Sequence, residues 1–213
     1  MISLAKSGSQ VLQVNGLSTA SLVNPEREGD LWAEAQTSLL KLIGIDEPVV
    51  VLGVASGFHL RALQAKLRAA GHRGRIIALD VCEPSIEFTK WRVLEVEYLY
   101  VDPETNAGAF AARADVSSWM LQPFTVLRHK PTYLRNGVSL RKLEAWILGR
   151  TPEAFSAQLK LRPQIAAALN PDRARKIAEV SLISIRDLSK AWDITSELKT
   201  DRRLFRVLEE LVR

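Results

Sequence analysis

Apolar residues fall into three regimes along this chain. Residues 2 to 23 hold short apolar stretches, Ile2–Ala5, Val11–Val14 and Ser18–Val23, separated by the turn formers Ser7-Gly8-Ser9 and Asn15-Gly16. Asn-Gly between apolar runs is a strong hairpin signal, so a small β-hairpin or meander is predicted there. The middle of the chain carries continuous runs at Val49–Leu52, Ile76–Cys82, Glu97–Val101 and Pro123–Leu127. The first of these is apolar at every position, as expected of a strand buried on both faces of a parallel sheet. Beyond Pro131 the period becomes helical. Leu140, Leu143, Ile147 and Leu148 mark one face, Ala174, Ile177, Ala178, Ser181 and Ile185 a second, and Leu204, Val207, Leu208 and Leu211 the last.

Helices are also predicted between the strands. Asn24 is a natural N-cap, with Pro25 at the first helical position and Glu26 and Glu28 in the first turn. Leu31, Ala35, Leu39 and Leu42 continue that helix, with Trp32 beside them, until Gly44. Leu60, Leu63, Leu67 and Ala70 give a second helical face, and Pro84 opens a third helix carrying Ile86, Phe88, Trp91, Val93 and Leu94. Residues 103–118 stay open. Their alanines permit helix, while Asn106, Gly108 and Ser117-Ser118 argue for a loop beside the site.

The stretch from Val49 to Ser85 organises the rest. Its first strand runs into Gly53, Val54, Ala55, Ser56 and Gly57, then a helix, then a second strand that carries Asp80 and ends at Glu83. Glycines permit a tight turn and close approach of a ligand, and the following helix directs its free N–H groups at the same place. Strand, glycine turn, helix, strand and terminal acid make the first half of a nucleotide-type Rossmann unit. The predicted fold is therefore α/β: a Rossmann-like parallel sheet with an N-terminal β-hairpin and a helical C-terminal segment. Residues 1–135 are expected to form the hairpin and ligand-binding domain, and residues 136–213 the helical segment.

Composition narrows the function. With 213 residues and 47% hydrophobic content, the chain can bury a sizeable core. No apolar run approaches the roughly 20 residues that span a bilayer, and the N-terminus lacks the apolar core of a secretory signal, so no membrane association and a cytoplasmic location are expected. Cys82 is the single cysteine, and the three histidines are scattered, so neither a disulfide nor a metal site is expected. The net charge of +5 is uneven: residues 128–213 hold 18 Lys plus Arg against 10 Asp plus Glu, net +8, leaving net −3 for the remainder. Arginines interleaved with acids along amphipathic helices usually form a solvated face, so no specific nucleic-acid binding is expected. The same helices leave open a homo-oligomer or a protein partner.

The turn is the most specific chemical feature. It has neither a Gly-Lys-Ser/Thr ending nor a complete G-x-G-x-x-G, since Ala55 replaces the middle glycine, so an ATP-hydrolysing P-loop is disfavoured. A cofactor pocket built from Gly53, Ala55, Ser56 and Gly57 would have His59 in the next helical turn. Asp80 and Glu83 compete to receive ribose hydroxyls, with Asp80 slightly favoured and a helix cap the alternative role for either. Arg128 and His129, at the end of the fourth strand, lie where open α/β sheets bind ligands and are the candidate substrate contacts. No spacing links Ser, His and Asp as a nucleophile elbow would, so no catalytic residue is assigned.

Two families are similar at these residues. VVVLGVASG and IIALDVCEPS resemble the first two motifs of S-adenosylmethionine-dependent methyltransferases, which implies cofactor binding at Gly53, Gly57 and Asp80. Ser21-Leu22-Val23-Asn24-Pro25-Glu26-Arg27-Glu28, with VVVLGVASGFHL and EPSIEF, resembles the domain shared by motility-associated factor glycosyltransferases of flagellin and hydroxymethylpterin pyrophosphokinases. That resemblance covers roughly residues 1 to 135 and gives interest to Glu28, Gly53, Gly57, His59 and Glu83. It implies a nucleotide or nucleotide-sugar ligand and transferase activity. Three readings therefore stand: a transferase of the motility-associated type, a methyltransferase using S-adenosylmethionine, and a non-catalytic scaffold.

Overall fold

The computed structural model describes residues 1–160; the helical faces expected at 174–185 and 204–211 lie outside them. The described residues divide into two compact units, 1–105 with 122–142, and 106–121 with the chain from Leu143 onward. The second unit thus takes in a segment that the sequence places within the first part.

The first unit opens with an antiparallel three-stranded meander, β1 (Ile2–Leu4), β2 (Gln10–Val14) and β3 (Leu17–Ser18), in that order across the sheet. Asn15 and Gly16 make the β2–β3 turn, both at positive φ, as an Asn-Gly hairpin requires. The parallel sheet follows: β4 (Val49–Leu52), β5 (Ile76–Asp80), β6 (Glu97–Tyr100) and β7 (Thr125–Arg128), in the order β6-β5-β4-β7. Every residue of β4 and β5 is buried, which is why both read as apolar runs. Leu52 pairs with Leu79 on one side and with Arg128 on the other, so the ends of β4, β5 and β7 lie level. The strand order reverses beside β4, and open α/β sheets bind ligands at such a reversal.

Helix α1 (Pro25–Ala35) is followed by the short α2 (Thr37–Leu40), and α3 (Phe58–Ala69) links β4 to β5. Leu60, Leu63 and Leu67 of α3 are buried as the spacing predicts. Helix α1 departs from expectation: its buried residues are Pro25, Gly29 and Ala33, while Leu31, Leu39 and Leu42 are exposed. The small residues let α1 lie close against α3, and the leucines face outward. Helix α4 (Glu83–Thr89) follows β5, and α7 (Lys130–Arg135) follows β7. Ile86, Phe88 and Val93 are buried, but Trp91 and Leu94 are exposed beyond the end of α4.

In the second unit, residues left open between helix and loop form α5 (Ala107–Ala112) and α6 (Ala114–Met120). Asn106 is an N-cap, its side chain accepting from the Ala109 N–H at 2.8 Å. Helix α8 (Gly137–Ile147) enters this unit from the first, and α9 (Pro152–Lys160) packs against α5. Phe110 and Trp146 meet in its core with ring centroids 6.1 Å apart.

Candidate ligand-binding site

The turn after β4 is a closed structure. Residues 53–57 are all buried. Their backbone takes positive φ at Gly53 (99°), Ala55 (50°) and Gly57 (79°). Alternation of this kind turns successive N–H groups to one side and makes a concavity that suits an anion. The anion it holds is the chain's own: Asp80 Oδ2 accepts from Val54 N–H at 2.7 Å, and Oδ1 accepts from Cys82 N–H at 3.0 Å. Asp80 is fully buried, and burial pushes its carboxyl up against the opposing pull of these amides. Its oxygens therefore brace the turn from beneath.

The space beside both glycines is also taken. A Cβ on Gly57 would stand 2.3 Å from Thr89 Cγ2, and one on Gly53 would stand 2.7 Å from Thr132 Cβ. These glycines let α4 and the start of α7 close onto the turn. Ser56 points the other way, into the N-terminal meander. Its hydroxyl accepts from Leu12 N–H at 3.0 Å and lies 2.5 Å from Thr19 Oγ1. The meander is held further by Ser7 and Ser9 hydroxyls on the Glu26 carboxylate, by Arg92 on Gln10 at 2.7 Å, and by Arg135 on the Ser18 carbonyl at 2.5 Å. It forms a roof over the carboxyl ends of the strands.

His59 and His129 come together where the strand order reverses. Their rings stack with centroids 3.7 Å apart and planes 10° from parallel, and Trp32 presents its edge to both at 5.1 and 6.0 Å. His59 Nε2 donates to the Gly53 carbonyl at 2.9 Å, and His129 Nδ1 shares a 2.7 Å hydrogen bond with Thr132 Oγ1. Burial and the facing His129 hold His59 well below the usual imidazole range. Burial, then the Arg135 charge, lowers His129 to about 4. Both rings are neutral at pH 7. They are buried against each other at the carboxyl ends of β4 and β7. Trp32 Nε1 donates to the Arg128 carbonyl at 3.1 Å, so Arg128 enters this arrangement through its backbone, and its guanidinium lies over Tyr133.

The remaining predicted residues lie apart from that stack. Glu28 accepts from Ser21 N–H at 2.6 Å, Ser21 Oγ from Val23 N–H, and Asn24 from Arg27 N–H at 2.9 Å. The Ser21, Asn24 and Glu28 side chains thus fasten the start of α1. Glu83 is exposed in the first turn of α4, because β5 stops at Asp80.

Open space lies beside the turn. A cavity of about 170 Å³ is roofed by Val14, Asn15, Leu17 and Thr19 of the meander. Ala55 and Cys82 line it at the ends of β4 and β5. Ser85 of α4 and Thr132, Arg135 and Asn136 at α7 complete it. Drug-sized ligands occupy about 300 to 1,000 Å³, so this volume suits a small molecule or one end of a larger one. Of the candidate binding residues read from the sequence, only Ala55 lines this cavity. Ser85 falls within the EPSIEF stretch but is not singled out by it, and Thr132, Arg135 and Asn136 carry no motif; only their position after β7 marks them. Among the described residues no three His, Cys, Asp or Glu side chains gather as a metal site requires, and no helix is long and apolar enough to cross a membrane.

No family model and no curated protein matches the chain. A plantazolicin methyltransferase, BpumL, solved in complex with SAH, is structurally similar over 81% of each chain, at 11% identity and a TM-score of 0.32. The α/β architecture described above, a four-stranded parallel Rossmann-like sheet preceded by antiparallel strands, rests on the strand order and register themselves.

Proposed function

We propose that this chain is a Rossmann-like ligand-binding domain that admits a nucleotide-type ligand to the cavity beneath the meander and serves a transferase reaction. The supporting observation is the cavity's place: it opens at the carboxyl ends of β4 and β5, with Ala55 and Cys82 in its wall. The ligand lies beside the turn, because Asp80 already takes the Val54 amide within it. Nucleotides, nucleotide sugars and S-adenosylmethionine are the compounds to test. A bound compound at a hundredfold excess over its Kd stabilises the fold by about 2.7 kcal/mol. A thermal-shift screen of the full chain, repeated on Ser85→Leu to fill the cavity, is expected to find a stabilising nucleotide whose effect the variant loses. A stabilising S-adenosylmethionine would move the reading to a methyltransferase.

One observation favours a second reading. All five residues of the turn are buried and its polar groups are used internally, as in a scaffold that has kept the fold without the chemistry. A screen in which no compound stabilises the wild type would select that reading.

A further inference from the structure

The cavity beneath the meander is chemically one-sided. Arg135 is the one charged residue among the described residues lining it, and none of the described carboxylates reaches its wall. Arg135 carries five N–H donors. The Ser18 carbonyl takes one of them, and among the described residues no acid forms an ion pair with Arg135. Ser85 supplies a second, independent sign. It lines the same cavity, it is 2% exposed, and its hydroxyl has no hydrogen-bond partner among the described residues. No described residue bonds this hydroxyl, and its oxygen is not among the polar atoms sealed from solvent, so a group entering the cavity that Ser85 lines can reach it. We propose that the cavity selects a small anionic group, a carboxylate or a phosphate, held by Arg135 and Ser85 with Cys82 in the wall. This deepens the ligand-binding reading, on which it rests: it names the charge of the group that enters and disfavours a cationic ligand.

Cys82 makes the proposal testable, because it is the chain's single cysteine and lines the cavity. Iodoacetate and iodoacetamide both alkylate a thiolate: the S–C bond forms as the C–I bond breaks, iodide leaves, and the thiol proton passes to buffer. They differ in charge. The full chain is labelled with each, followed by intact-mass spectrometry, and the rate ratio is compared with that of N-acetylcysteine. We expect the iodoacetate preference to exceed that of the free thiol by about fivefold or more, as one cation in a partly desolvated site provides. Arg135→Gln should abolish it, Arg135→Lys should keep most of it, and Arg73→Gln, a distant charge change paired with Asp46, should not alter it. Circular dichroism establishes that each variant is folded. Inorganic phosphate and acetate added as protectants tell a phosphate-binding cavity from a carboxylate-binding one.

A wild-type ratio equal to that of the free thiol, a ratio unchanged in folded Arg135→Gln, or a thiol inert to both reagents would overturn the proposal. If the preference holds while the nucleotide screen finds nothing, the anion site stands and the nucleotide reading falls. If a nucleotide binds without the preference, the reverse follows.

Discussion

Two imidazoles stacked face to face in a protein interior can share that position only while both are uncharged. His59 and His129 are 3% and 4% exposed, and each is held below its ordinary value chiefly by burial. Their effect on stability follows from linkage. In the unfolded chain each histidine binds a proton near pH 6.5, while in the fold His129 does so only at about 4. Between these values the unfolded state holds more protons, so stability is full above about pH 6.5 and is lost as pH falls towards 4. His129 alone would remove on the order of 3 kcal/mol by pH 4. Asp80 works in the opposite sense: its raised carboxyl makes the fold bind a proton more readily than the unfolded chain, so its contribution is lost as pH rises above 3.8. Urea unfolding of wild type and His129→Phe at pH 7 and pH 5 separates the two, because the variant keeps an aromatic partner for His59 and keeps Asp80. The wild-type stability should drop over this interval, and the drop should be clearly smaller in His129→Phe.

At the scale of elements, legibility followed burial. Strands β4 and β5 were readable because a strand buried on both faces has no polar positions to disguise it. The Asn-Gly turn was readable because few residues adopt its backbone. Helix α1 misled because Gly29 and Ala33, which face α3, contribute little to an apolar pattern, while Leu31, Leu39 and Leu42 supply one on the wrong side. Residues 103–118 stayed open between helix and loop because loops and N-caps favour the same residue at Asn106. The glycine turn was located correctly, but its contents were not legible. That Asp80 fills it and Ser56 secures a roof above it depends on contacts 26 and 44 residues apart. The roof supplies a prediction at this scale. Ser56→Ala leaves the Leu12 N–H unpaired in a buried setting and removes a partner from Thr19, at a cost of about 1 to 3 kcal/mol. Urea unfolding should show that loss. Amide exchange should speed up at residues 11–14, while β5, fully buried in the parallel sheet, keeps its protection.

Across the whole chain, the basic charge begins at the cavity and continues past it. Of the net +8 of residues 128–213, the five Lys and Arg of residues 128–142, Arg135 among them, give +5 within the first unit, and 13 Lys plus Arg against 10 Asp plus Glu give +3 over residues 143–213. A basic stretch of this size attracts nucleic acid by releasing counterions, which depends on charge number and salt and not on base sequence. Sequence reading needs more, namely side chains placed against base edges by an element that fits a groove. The C-terminal basic residues show no motif of that kind; they are interleaved with ten acids. Where basic side chains are described in ion pairs, as in Arg68–Glu95, Arg75–Glu97 and Arg113–Asp115, acids already engage them. Titrating the full chain with two duplexes of equal length and unrelated sequence should therefore give equal affinities at every salt concentration. Binding at low salt should fall linearly on a log–log plot as salt rises, with a slope set by the number of phosphates neutralised. Tenfold discrimination between the duplexes at physiological salt would mean that the basic C-terminal stretch reads bases, and would move the search for this protein's partner from the cavity to that stretch.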